Sequence, residues 1–310
     1  ITTRTFLLQI VALVATFLLT VFLSPQEYGI FFVVSAVINF LVYFSDIGLA
    51  AALIQKKTKI TQEELVTVFT IQQILVTALV VLAFAASALV AKFYHLSSAG
   101  LWLFRSLAFS LLLSSWKTIP SIKLERSLQF SKLVIPQIVE NLCFYLVAVL
   151  LAWRGWGVSA FTWAVLVRSI AGLIVLYLLS PWKPRFRISP AAAATLLPLG
   201  VPFQLNSVLA LVKDDLLTAF LGKVLTLTEL GFIGWAQKWA LFPLRMFSDS
   251  INKVTFPAYS RLQDNPDVLK RGIEKSLFFS ALLIFPAVIG LVAVSPAFIR
   301  LFPRYLKWQP

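Results

Sequence analysis

Leu133-Val-Ile-Pro-Gln-Ile-Val-Glu-Asn-Leu-Cys-Phe-Tyr-Leu-Val-Ala-Val-Leu-Leu-Ala152 carries a single charge, Glu140. A helix of this length rises about 30 Å, the thickness of the hydrocarbon core of a bilayer. No water reaches that core, so a crossing segment must satisfy its own backbone hydrogen bonds, as a helix or within a closed barrel. Barrel strands alternate polar and apolar residues, whereas this stretch is apolar on every face, so it reads as a membrane helix. Phe6–Leu23 and Ile30–Leu53 have the same character, the second with Asp46 as its one charge. Over all 310 residues 59% are hydrophobic and 13% charged, with a mean hydropathy of +0.88. A soluble domain needs roughly 25% charged residues to cover its surface. The fold class is therefore all-α, polytopic transmembrane.

The pattern predicts nine spans, at 6–23, 30–53, 66–90, 99–116, 133–152, 157–180, 194–221, 230–256 and 276–300. Their connections differ sharply in charge. Every second connection is basic: Lys56, Lys57 and Lys59; Lys117, Lys123, Arg126 and Lys132; Lys183, Arg185 and Arg187; Arg261, Lys270, Arg271 and Lys275. The alternate connections hold only Lys92, Arg154 and Lys223. Basic residues stay in the cytoplasm, so the N-terminus and the basic connections are expected inside. Arg300, Arg304 and Lys307, after the ninth span, are the exception and fall outside. Trp116 and Trp182 lie near inner boundaries, and Trp102, Trp153 and Trp156 near outer ones, as aromatic belts do. The formal charge of +14 thus mainly orients the chain. Nucleic-acid binding would need a solvated basic domain, which the sequence does not contain. Cys143 is the lone cysteine and His95 the lone histidine, so no disulfide framework, metal site or cofactor motif is legible.

Leu23-Ser-Pro-Gln-Glu27-Tyr28-Gly29 opens the second span, and Leu225-Thr-Leu-Thr-Glu229-Leu230-Gly231 opens the eighth. Each leads through an apolar helix to Phe-Ser-Asp, at 44–46 and 247–249. A repeat of six spans is even, so both copies cross the membrane in the same direction, related by an axis along the membrane normal. This predicts two six-helix lobes: an N-terminal lobe at 1–180, a cytoplasmic linker at 181–193, and at 194–310 about three helices of a second. The chain lacks an initiator Met and stops at Lys307-Trp-Gln-Pro310, so it is expected to be an internal stretch of a longer protein.

Ionisable groups inside a span are costly, so they usually face a cavity or a partner. Arg105, Arg168, Lys213, Lys238 and Arg245 are the deep cations, and Glu140, Asp214 and Asp215 the deep acids. Lys238 and Arg245 are seven residues apart on one helical face, with Asp249 four further on. A cationic surplus away from bulk water suits an anionic cargo, and the planar fork of Arg suits phosphate. Arg168, near mid-span, is the foremost candidate contact. Glu140 could bind a coupling ion or pair with a base. Pro198, Gly200 and Pro202 are expected to interrupt the seventh span and serve as a hinge.

The chain also resembles bacterial polysaccharide transporters, the Wzx-type flippases, most of all the colanic and teichuronic acid exporter branch. The resemblance rests on Leu23 to Gly29, on Phe44-Ser-Asp-Ile-Gly-Leu-Ala-Ala-Ala-Leu-Ile-Gln55, and on Ile60-Thr-Gln-Glu-Glu-Leu65. Lys123-Leu-Glu-Arg126, Gly155-Trp-Gly157, Asp214 through Gly222, and Phe256 through Gln263 follow in order. It implies the multidrug/oligosaccharidyl-lipid/polysaccharide exporter superfamily, with two lobes around a cavity in the bacterial cytoplasmic membrane. The implied cargo is an undecaprenyl-diphosphate-linked oligosaccharide, with a polysaccharide polymerase or export machinery as candidate partner. Two alternatives fit the residues less well. A multidrug exporter of cations would want more deep acids, and a membrane-embedded glycan polymerase or ligase would want a large outer loop or clustered catalytic groups. No enzymatic role is expected.

The orientation is testable in a Cys143→Ala background. A membrane-impermeant maleimide added to intact cells should label Arg154→Cys and leave Lys59→Cys unlabelled; the reverse pattern would invert the topology.

Overall fold

The computed structural model describes residues 2–56, 58–241, 266–301 and 303–308. The regular elements among them are helices: α1 (Thr2–Phe22), α2 (Pro25–Val42), α3 (Leu49–Gln55), α4 (Gln62–Phe93), α5 (Ser98–Trp116), α6 (Thr118–Arg126), α7 (Phe130–Trp153), α8 (Val158–Leu179), α9 (Pro190–Val224), α10 (227–241) and α11 (Pro266–Leu301), followed by a 3-10 turn, Pro303–Trp308. Among the described residues six helices, α2, α4, α5, α7, α8 and α11, are long and apolar enough to cross a membrane.

Helices α1 to α8 are assembled by close packing. α7 lies against α8 and α1, α5 against α4 and α8, and α2 against α5. Ala108, Ala148, Ala160 and Ala164 are wholly buried at these contacts. Lipid tails are as apolar as leucine, so helices associate through van der Waals contact, and small side chains let their backbones come near.

The second predicted span is not one helix. α2 ends at Val42, and α3 starts at Leu49 after a turn. Asp46 causes the restart by accepting from the backbone N–H groups of Leu49 (3.0 Å) and Ala50 (3.3 Å). Gly48 precedes α3 with φ +78°, a conformation that disfavours any residue with a Cβ. The basic fourth connection likewise folds into α6, whose Ile119 and Ile122 bury against Leu49 and Leu53 of α3. Arg126, at the end of α6, donates to the carbonyls of Leu53 (2.9 Å), Ile54 (3.1 Å) and Thr58 (2.9 Å), closing the C-terminus of α3. The connection at 181–189 crosses α4 in extended form, with the Arg187 N–H on Thr70 and the Ser189 N–H on Thr67.

α9 runs unbroken through Pro198 and Pro202, so the expected interruption does not split the helix. Gly200 instead provides close approach: its backbone lies directly against Gly48. That contact is one end of a long antiparallel seam between α2–α3 and α9. Gln204 donates to the Tyr43 carbonyl (2.5 Å). Tyr43 donates its hydroxyl to Asp215 (2.7 Å), and Asn39 reaches the same carboxylate at 3.5 Å. Val33 then packs against Gly222.

The repeat is visible at the opposite end. Ser24 and Glu27 form a capping box at the start of α2, with the Ser24 N–H on Glu27 (2.7 Å) and the Glu27 N–H on Ser24 (3.3 Å). Thr226 and Glu229 form the same box before α10 (2.8 and 3.2 Å). A Cβ at Gly29 would collide with the Leu227 carbonyl, and one at Gly231 with that of Pro25. The two contacts exchange when each residue is replaced by its counterpart in the other copy, which defines a local two-fold axis between the glycines. The second Phe-Ser-Asp, at 247–249, lies outside the described residues.

The C-terminal turn sits at this same end. Tyr305 donates to the Phe17 carbonyl (2.9 Å), Trp308 to that of Thr20 (3.0 Å) and Lys307 to that of Val21 (2.9 Å). Lys307 thus supplies a cation to the last turn of α1, where the helix dipole favours one. This local role accounts for a basic residue at the end where the charge pattern disfavours it.

Gly29→Ala and Gly231→Ala should each lower stability by roughly 1–3 kcal/mol, the range for overpacking a close contact. Gly290→Ala, with open space around it, should not. Thermal unfolding in detergent checks this, and equal melting of all three variants would remove the glycine contact as a constraint.

Candidate functional site

The deep charges divide into those engaged among α4, α5, α7 and α8 and those beside α9 and α10. Glu140 on α7 faces Gly172 on α8, where a Cβ would occupy the position of its carboxylate. Lys117, at the α5–α6 junction, places Nζ 2.7 Å from one carboxylate oxygen, and Arg168 of α8 places Nε 3.8 Å from the other. Of the two outcomes left open for Glu140, pairing is the one seen, with two bases rather than one. The side chains of Glu140 and Lys117 are 13% and 17% exposed, and that of Arg168 is 45% exposed. Arg168 therefore presents guanidinium N–H groups outward while Glu140 steadies it. Its Cζ lies 5.8 Å from the Phe144 ring, a second hold on the same group.

Phe144 begins an aromatic wall. Phe31 of α2 lies 6.3 Å from Phe144 and stacks on Phe161 of α8 at 4.1 Å; Phe161 meets Tyr28 edge-on at 6.0 Å. Beyond Tyr28 comes Lys238 of α10, with Nζ 6.0 Å from the ring. Tyr28, Phe31, Phe32, Gly234, Gln237, Lys238 and Leu241 enclose a cleft of about 270 Å³ between α2 and α10. Arg168 and Lys238, far apart in sequence, thus stand at the two ends of one chain of aromatic contacts, of which Tyr28, Phe144 and Phe161 are buried in the core.

The other candidates are placed elsewhere. Arg105 donates from Nε to Ser87 (3.1 Å) and lies 5.4 Å from the Trp102 ring, between α4 and α5. Asp215 belongs to the α2–α9 seam. Arg245 lies outside the described residues, as do the side chains of Lys213 and Asp214. Among the described residues no group of three or more His, Cys, Asp or Glu is placed to hold a metal ion.

Sequence reasoning missed Lys117 and the aromatic wall. A signal existed: Glu140 and Phe144 are four apart, and Phe161, Arg168 and Gly172 follow at seven and four, each set on one helical face. Periodicity alone does not separate buried from lipid-facing aromatics in so apolar a helix.

Comparison with known proteins adds the lineage. A family profile described as "Polysaccharide biosynthesis protein" matches residues 18–303. The chain belongs to this family. Its relatives include Lipopolysaccharide biosynthesis protein WzxC of Escherichia coli K12, 25% identical over 290 residues, covering 90% of this chain and 57% of that protein. Teichuronic acid biosynthesis protein TuaB of Bacillus subtilis 168 is 25% identical over 257 residues, with 82% and 53% covered. Succinoglycan biosynthesis transport protein ExoT of Rhizobium meliloti 1021 is 23% identical over 283 residues, with 90% and 56% covered. The chain spans about half the length of these curated relatives. Among solved structures, an inward-facing multidrug resistance MATE family transporter of the MOP superfamily superposes with a TM-score of 0.64 at 15% identity, covering 93% of this chain and 71% of that one. That likeness shows the fold, an all-helical bundle, and the polysaccharide family together with six apolar helices makes the chain a multi-pass membrane protein.

The ion cluster predicts a specific pattern of stability. Glu140→Leu alone should cost roughly 1–3 kcal/mol, less than a fully buried pair because its partners keep some water. Lys117→Met combined with Glu140→Leu should recover much of that loss. Chemical denaturation of the four proteins measures the coupling, and strict additivity would mean that the pair does not interact.

Proposed function

We propose that this chain forms part of a flippase that moves an undecaprenyl-diphosphate-linked oligosaccharide across the bacterial cytoplasmic membrane by alternating access, for surface polysaccharide biosynthesis. Residues 1–180 form its first six-helix lobe and 194–310 part of the second, joined by the cytoplasmic segment 181–193, with the N-terminus inside. The observation that supports this reading is the pair of cations on α8 and α10, Arg168 and Lys238, set at the ends of one chain of aromatic contacts that borders the α2–α10 cleft. A lipid diphosphate needs cations whose donors remain available at depth, and half-exposed Arg168 meets that need. The sugar units would rest on the aromatic cleft, and the lipid tail would remain in the bilayer. Lys213 and Arg245 are proposed as further cations on the same route, with Arg105 in a lesser role because Ser87 and Trp102 already engage it. Asp214 and Asp215 remain candidate coupling groups beside Glu140, and Pro198, Gly200 and Pro202 the proposed flexing point of α9. The polysaccharide biosynthesis and transport names of the relatives support the cargo class.

The test is export in a strain lacking the endogenous gene, complemented with the full-length protein. Arg168→Ala should reduce surface polysaccharide by about tenfold or more, the worth of one charge-assisted hydrogen bond, at unchanged membrane abundance. Lys238→Ala should reduce it similarly. Full export by Arg168→Ala would remove the diphosphate role.

A further inference from the structure

Lys92 and Lys223 are two of only three basic residues in the sparsely charged connections. Lys92 lies in the last turn of α4 and Lys223 in the last turn of α9, on opposite lobes. The fold brings both to one groove of about 680 Å³, whose apolar walls include Val37 of α2 and Leu89, Val90 and Phe93 of α4. His95 lines the same groove. It is exposed, with φ +51° in the turn that follows α4. Lys92, Lys223, Leu89 and Phe93 are all exposed. Lys223 lies 4.4 Å from the Phe93 ring, and among the described residues no carboxylate comes within ion-pair distance of either lysine.

We propose that this groove binds an anionic glycerophospholipid, its phosphate between Lys92 and Lys223 and its acyl chain along Val37, Leu89 and Val90. The chemistry is specific to a lipid of this kind. The groove lies at the end of α4, a helix long and apolar enough to cross a membrane, beside the end of α9. It joins apolar walls to two cations that, among the described residues, have no carboxylate within ion-pair distance, a match to one molecule carrying both a tail and a phosphate. A second groove between α4 and α9, bordered by Leu75, Leu79, Leu82 and Leu205, has Asp46 at its margin and no lysine, so charge selects the first for an anionic lipid. Because the lysines come from different lobes, a bound phosphate ties the lobes together at this end. The proposal is independent of the cargo.

Binding of a fluorescent short-chain phosphatidylglycerol to the full-length protein in neutral detergent tests it. Saturable binding is expected, with phosphatidylcholine of the same tail markedly weaker and glycerol phosphate, the headgroup alone, not competing. Each lysine near a membrane surface contributes about fivefold to anionic lipid affinity, so Lys92→Gln with Lys223→Gln should weaken phosphatidylglycerol roughly 25-fold. Leu89→Trp, filling the groove, should weaken both lipids. Arg154→Gln, the third basic residue of these connections, should change nothing. Lysines that serve only to balance helix dipoles would lower the melting temperature of the double variant and leave its lipid selectivity intact. That result, or equal affinity for the two lipids in the unaltered protein, overturns the proposal, as does competition by glycerol phosphate at the same concentration as the lipid.

Discussion

The contact on which the architecture turns is the approach of Gly29 to Gly231. Two capped helices begin side by side with their backbones touching, each contact mirrored by its counterpart across a local two-fold. A membrane offers little hydrophobic drive to join α2 to α10, because apolar surface is equally at home against lipid. The helices must be joined by shape and by the few polar groups that find partners. The glycines supply the shape. The capping boxes supply the rigidity, since a helix whose first N–H groups are satisfied from within does not fray toward lipid. Around this point gather Trp235, which donates to Thr20 and stacks on Trp308 at 5.1 Å, and the Tyr305 and Lys307 bonds to the end of α1.

The charges fall into classes that net charge alone conceals. Arg126 closes the end of α3, Lys56 pairs with Glu64 beside the start of α4, and Lys307 closes the end of α1. These are structural tasks as well as contributions to orientation. Lys117 stabilises Glu140, which in turn steadies Arg168. A cation with a carboxylate behind it and an aromatic ring beneath it is held at lower entropic cost than one on a free stem, so an anion that meets it finds the geometry prepared.

The sequence carried the class of fold because a bilayer leaves few options: a twenty-residue apolar run has one structural solution. The capping boxes were legible as a repeated motif for the same reason, since Ser24 and Glu27, or Thr226 and Glu229, need only local spacing. The break at 43–48 was hidden. Hydropathy runs smoothly through it, and its cause lies in Asp46 capping a new helix and Gly48 meeting Gly200, a partner about 150 residues away. Pro198 and Pro202 misled in the opposite sense, because α9 accommodates both. At the candidate site Arg168 and Glu140 stood out as charges in an apolar helix. Lys117 did not, since a lysine in a basic connection looks like every other orienting residue. The wall formed by Phe31, Phe144 and Phe161 needed three helices in register, which no single-chain periodicity records.

The seam along α2 and α3 has a mechanical consequence. It begins at Gly29 against Gly231, continues through Asp215 with Asn39 and Tyr43, and ends at Gly48 against Gly200. From Gly29 to the end of α2 at Val42 this is about 20 Å, roughly two-thirds of the depth of a bilayer core. Two bodies fastened along such a line keep one shared edge, like the boards of a book along its spine. The motion such an edge permits is a swing about it, because sliding along it would break the bonds of Tyr43 and Asn39 to Asp215 and the fit of Gly48 on Gly200.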